Sequence, residues 1–318
     1  GQIFTWLKFL PGSVARRRRL ARSGCICYND RVQSAAPASR RTPPRKGSDQ
    51  NTMGLFSNYN KPGPGVAPDA PRKRGLSRLI EILGRDMGSF FKAGMLAFAS
   101  CIPFVAGAVL AVLSHGLLVM IIAGIVGGAL AGPQLTALAD TILRSLRDEP
   151  GFWWQTYRRA WKRNAKASLV PGAIFGLLFG SEIFLFFHLD TMQAGSAIIV
   201  MMLVGTALVL GFFTYVWPQI ALLELPLGSL LKNAVFLFLA YLPASLGATV
   251  VQFVYWAAVI VLFPLSAPVF LFTNFWVPLV PSLLIVYNGL DKSFGIEDAI
   301  RKIRDAQLSP DGDESGDA

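Results

Sequence analysis

Charge is what this chain lacks most. Asp, Glu, Lys and Arg make up 15% of its 318 residues, where a soluble globular domain carries about one quarter. No Asp, Glu, Lys or Arg occurs anywhere in 93–139 or in 233–290. A helix crossing the hydrocarbon core needs about 20 apolar residues, so each uncharged stretch holds two crossings and a short turn. Mean hydropathy is +0.47. The balance excludes a soluble enzyme, a secreted disulfide scaffold and disorder over most of the chain. Cysteine is scarce too: Cys25 and Cys27 fall near the start, and Cys101 stands alone in an apolar run. Three thiols so placed predict neither a disulfide framework nor a metal site. Only two histidines occur. There is no phosphate-binding Gly-x-x-x-x-Gly-Lys-Ser/Thr loop, no His-Glu-x-x-His pair and no Gly-x-Ser-x-Gly elbow. No catalytic residue, cofactor or metal is expected from these patterns, and no nucleophile–base pair is visible.

What charge there is lies unevenly. Residues 1–52 carry net +9 of the chain's +11, which argues against reading the whole protein as a nucleic-acid binder. That segment contains Arg16-Arg17-Arg18-Arg19 but no sustained period, and its basic run follows the apolar stretch instead of preceding it as a signal peptide requires. The expectation is a disordered basic leader upstream of a natural start at Met53; a basic arm on lipid headgroups is the functional alternative.

The expected fold is an all-α integral membrane protein. Residues 53–90 form an N-terminal segment and 91–290 a six-helix membrane domain. Residues 291–318 form an amphipathic segment, with Ile296, Ile300 and Ile303 on one face, and a disordered acidic tail. Spans are predicted at about 91–112, 117–139, 169–187, 196–216, 234–263 and 269–286, as helices because lipid cannot satisfy exposed backbone groups. Loop charge supports an even count. With both termini cytoplasmic, every Lys and Arg after Met53 lies at or beside an inner segment. The predicted outer loops near His115, Asp190 and Ser266 hold none.

Gly124, Gly128 and Gly132 recur every four residues on the second span, and Gly172, Gly176 and Gly180 on the third. Such stripes let backbones approach closely, here between these consecutive helices or, alternatively, in a homo-oligomer. Between the same spans, Asp148 is a candidate N-cap for a helix with Pro150 in its first turn. Trp153, Tyr157 and Trp161 then recur every four residues beside Trp154, with Arg158, Arg159, Lys162, Arg163 and Lys166 interleaved. This predicts a basic, aromatic amphipathic helix in the loop between the second and third spans. Two compatible readings are open: it lies at the headgroup boundary of the lipid bilayer, or its aromatic face packs on the protein's own helices. The mixture of aromatic and basic residues also resembles a base-stacking surface for nucleic acid, which the two flanking spans disfavour.

Glu182, within an otherwise apolar run, is the candidate intramembrane functional residue. It either lines a solute path or serves as a hydrogen-bonded packing acid. His188 reads as interfacial beside Asp190, while Gln252, Thr273 and Asn274 read as interhelical hydrogen-bonding groups. Pro218, Pro243, Pro264 and Pro278 mark candidate kinks or span ends.

Three pieces, in order, carry a resemblance. They are Asn58-Tyr59-Asn60-Lys61-Pro62-Gly63-Pro64-Gly65-Val66, then Gly132-Pro133 with Thr136-Ala137-Leu138. The third is Arg147-Asp148-Glu149-Pro150 with Trp153-Trp154, Arg158-Arg159-Ala160-Trp161, Asn164 and Lys166. From about Met53 to Arg304 the chain resembles the YesL family of bacterial membrane proteins. The resemblance implies a multi-pass protein of the bacterial cytoplasmic membrane, encoded near sugar-uptake transporters, and it supplies no catalytic residue. The functional expectation is an accessory or regulatory component of carbohydrate uptake, contacting transporter components through the basic aromatic loop. A small-solute transporter or channel with Glu182 in its pathway is the alternative.

Overall fold

The computed structural model describes residues 73, 75–149, 151–189, 195–262 and 264–308, the last six by backbone alone. The leader, the segment around Met53, Pro150, Asp190 and the acidic tail lie outside the described residues. Lys73–Glu297 form one compact unit, and residues 298–308 belong to a second. No strand occurs among the described residues. The helices are α1 (Leu76–Leu113), α2 (Leu117–Leu146), α3 (Trp153–Phe187), α4 (Ser196–Leu222), α5 (Leu227–Ala240), α6 (Leu242–Val261), α7 (Ser266–Thr273), α8 (Trp276–Phe294) and α9 (Ile296–Leu308). Five are long and apolar enough to cross a membrane, six if α7 and α8 count as one bent span. The fold is that of an all-α multi-pass membrane protein.

α1 and α3 have 38 and 35 residues. At 1.5 Å per residue both exceed 50 Å, against a hydrocarbon core of about 30 Å. The sequence separates an amphipathic helix from the third span; the structure joins them into one rod. Ala165, Ala167 and Leu169 favour helix through the junction. Pro171 sits inside α3 without ending it, as apolar surroundings allow. Asp148 is not its cap either. The N-cap is Phe152, with no side-chain hydrogen bond.

The predicted fifth span is broken at Tyr241 into α5 and α6. Tyr241 leaves the helical conformation at φ −115° and ψ 42°, and Pro243 stands in the first turn of α6, where its missing N–H costs no helical bond. The Phe238 carbonyl, which residue 242 would bond in a continuous helix, accepts Ser245 Oγ instead at 2.9 Å. The predicted sixth span bends by 51° between α7 and α8. Pro278 leaves the Asn274 carbonyl without its helical donor, and Tyr255 Oη donates to it at 2.9 Å. Trp276 Nε1 likewise donates to the Phe272 carbonyl at 2.9 Å. Pro218, by contrast, is absorbed within α4.

The tightest packing joins α2 to α3. A Cβ on Gly128 would lie 2.7 Å from Gly176 Cα, and one on Gly124 would lie 2.8 Å from the Gly176 carbonyl oxygen. Gly132 and Gly172 face each other in the same way, whereas Gly180 meets the Met120 and Phe104 side chains. Residues 210–221 of α4, apart from Phe212, are buried and form the centre of the other half. Large apolar side chains on α1 and on the first half of α4, such as Val109 and Met201, point outward, as a lipid-facing surface does.

Candidate functional site

α1, α2 and α3 come together at a charged end of the bundle. Arg147 is the C-cap of α2, and Asp148 after it takes a left-handed φ of 59°. Its amide donates to the Ser145 carbonyl and that of Glu149 to the Arg144 carbonyl, a Schellman arrangement whose left-handed position usually holds Gly. Here an Asp is presented to α1. Arg78 Nη2 donates to Asp148 Oδ2 at 2.7 Å and to the Leu146 carbonyl at 3.0 Å. Arg85 donates to the other carboxylate oxygen and to the Ser145 carbonyl, and Ser145 Oγ donates to Asp86. Burial alone would raise the Asp148 pKa. The Arg85 and Arg78 hydrogen bonds outweigh it and hold the carboxyl below the ordinary carboxylate range.

A second group centres on buried Asp140, which accepts from Arg144 Nε at 2.7 Å and faces Arg163 at 3.6 Å. Arg163 also donates to the Ala221 carbonyl at the end of α4, at 2.8 Å. Glu149 pairs with Arg144 and with Arg147.

The aromatic residues divide between the two readings. Tyr157 is buried and its hydroxyl donates to Gln134 on α2. Half-buried Trp153 stacks against Tyr157 and lies 5.5 Å from Lys92 Nζ, which sits over the ring. Trp154 and Trp161 remain 54% and 36% exposed. Arg158, Arg159, Lys162 and Lys166 are exposed, and none pairs with an acid among the described residues. Spaced by one, three and four residues, they share one face of α3.

Glu182 sits nearer the other end of α3. Its Oε1 lies against Gly205 of α4, and its buried Oε2 has no hydrogen-bond partner among the described residues. A cavity of about 260 Å³ between the helices is lined by Phe179 and Ile183 but not by Glu182. Its walls are apolar except for a few groups, chiefly Thr214 and Gln252, which bond to each other.

At the end of the bundle opposite the ion pairs, the structure joins two residues the sequence leaves apart. His115 in the α1–α2 turn and His188 at the end of α3 approach to 2.9 Å. They stand 73 positions apart in the chain, so no local pattern couples them. The one local sign is a His immediately before Gly116, in a turn where the flexible residue would be expected one place earlier.

In comparisons with protein-family models, curated proteins and solved structures, nothing matches this chain.

Proposed function

We propose that this protein is an accessory or regulatory component of carbohydrate uptake in the bacterial cytoplasmic membrane, of the YesL kind. In this reading both termini and the charged end face the cytoplasm, as the positive-inside rule requires. The observation that carries it is the contrast in pairing along α3. Arg163 is tied to Asp140 and Ala221, while Arg158, Arg159, Lys162 and Lys166 form a solvated face on a helix that outruns the bilayer. A rigid cationic stripe flanked by outward Trp154 and Trp161 suits an acidic surface of a transporter component, with the indoles at the headgroup level. Copurification in mild detergent tests it. The wild type should retain a sugar-transporter component, and Arg158→Glu with Arg159→Glu and Lys162→Glu should lose it. A wild-type preparation free of any transporter component overturns the proposal.

The unpartnered Glu182 oxygen favours a second reading, a small-solute transporter or channel. Glu182→Gln should then abolish flux in reconstituted vesicles, and unchanged flux removes the residue from any pathway.

A further inference from the structure

The two histidines form an arrangement that a hydrogen-bonded clasp alone does not require. α1 ends in a Schellman turn: the His115 amide donates to the Val112 carbonyl and the Gly116 amide to the Ala111 carbonyl. The left-handed position of such a turn is ordinarily Gly, yet here it is His115, with φ 49°. The turn therefore accepts a less favourable residue whose ring it aims at α3. The receiving ring is locked. His188 is 6% exposed, stacks on Phe184 at 4.1 Å between centroids, and sets its Nδ1 2.8 Å from the Phe184 carbonyl. Because a carbonyl only accepts, the His188 proton belongs on Nδ1. Nε2 is left as a lone pair facing His115 Nδ1 at 2.9 Å. An imidazole with one nitrogen donating to a backbone carbonyl and the other presented bare is the usual state of a metal-ligating histidine.

We propose that His115 Nδ1 and His188 Nε2 form the protein edge of a binding site for a borderline divalent cation, Zn²⁺ or Cu²⁺. Two imidazole nitrogens bound tetrahedrally at 2.0–2.1 Å lie about 3.3 Å apart. Binding therefore opens the separation by about 0.4 Å and turns both rings, so that the two lone pairs converge on the ion instead of on each other. On binding, the His115 proton moves from Nδ1 to Nε2, so both ligands are neutral and no net proton is released. The rings cross at 80°. Among the described residues no third His, Cys, Asp or Glu joins them. Imidazole donors select Zn²⁺, Cu²⁺ or Ni²⁺ over the hard cations Mg²⁺ and Ca²⁺. A bound ion would tie the α1–α2 turn to the end of α3 through the small apolar cluster of Ala108, Ala111, Met120 and Phe184 beneath it.

The chain's having only two histidines makes the test clean. Full-length protein, purified without a polyhistidine tag, is loaded with one equivalent of Cu²⁺ and read by electron paramagnetic resonance. Hyperfine coupling to two imidazole nitrogens supports the site, because no other pair exists in the chain; one imidazole or none overturns it. In parallel, Zn²⁺ is titrated against a chromophoric chelator. His115→Gln and His188→Gln should each weaken binding at least about tenfold, and Mg²⁺ should not compete. Equal Zn²⁺ binding by the wild type and both variants overturns the proposal. The resonance measurement uses the wild type alone, so it decides even if a variant does not fold.

Discussion

Gly128→Ala tests how far the fold depends on backbone contact between α2 and α3. The added Cβ would stand 2.7 Å from Gly176 Cα, and the Cβ of Gly176→Ala would stand 2.6 Å from Gly128 Cα. The obstacles are backbone atoms on a facing helix, so no side-chain rotation relieves the contact. Carbon contacts settle near 3.5–4.0 Å, which asks the helices to part by about 1 Å along a seam whose stability comes from close dispersion contact. Overpacking of this kind costs about 1–3 kcal/mol. Alanine returns about 0.8–1.0 kcal/mol of helix propensity, so a matched control is needed. Gly88 is exposed on α1, and a methyl added there would meet nothing within 4 Å. It gains the same propensity without the collision. Equilibrium unfolding in mixed micelles should therefore place Gly128→Ala and Gly176→Ala about 1–3 kcal/mol below Gly88→Ala. If all three are equally stable, the two helices do not meet through their glycines and the reasoning fails.

Three further outcomes follow from the polar contacts. Asp148→Asn weakens the acceptor of two guanidinium groups; charge-assisted bonds of this kind contribute about 1.5–3 kcal/mol, and the partial exposure of Asp148 reduces the expected loss to about 1–2 kcal/mol. Since the folded Asp148 pKa lies below its unfolded value of about 3.9, its contribution is complete above that pH and declines as pH falls further. The difference in melting temperature between wild type and variant should shrink below about pH 4, and a difference that grows there would contradict the pairing. Tyr255→Phe removes the donor to the Asn274 carbonyl at the α7–α8 bend and should cost about 1–3 kcal/mol for a buried unsatisfied acceptor, read by the same unfolding assay. Glu182→Met removes an unbonded buried oxygen and should leave stability unchanged or raise it by up to about 2 kcal/mol; a marked loss would mean Glu182 has a partner.

Pro243 and Pro278 show where local sequence stopped being sufficient. Proline withdraws a donor wherever it stands, and Pro103, Pro133, Pro171 and Pro218 do so inside uninterrupted helices. At the breaks at Tyr241 and Asn274, Ser245 Oγ and Tyr255 Oη donate to carbonyls left without their helical donors. The Tyr255 contact spans two helices, so it cannot be read from residues near Pro278. The junction at Lys166 illustrates the converse: a change from polar to apolar composition reads as a boundary between elements, but helical hydrogen bonding is indifferent to it and α3 runs straight through. Asp148 likewise reads as a cap from its neighbours, and its role is instead settled by Arg78 and Arg85, about seventy residues away in the chain.

The sequence by itself determined the class of protein, the approximate placement of its apolar helices and the clustering of its cations. Hydropathy and charge are properties of each residue that accumulate along a segment and need no knowledge of neighbours in space. Tertiary structure alone decided which prolines stand at a break, that Glu182 faces Gly205 instead of the cavity, and that the chain's two histidines meet. Each of these depends on the position of a single partner atom on another helix, and such a position exists only once the helices have packed.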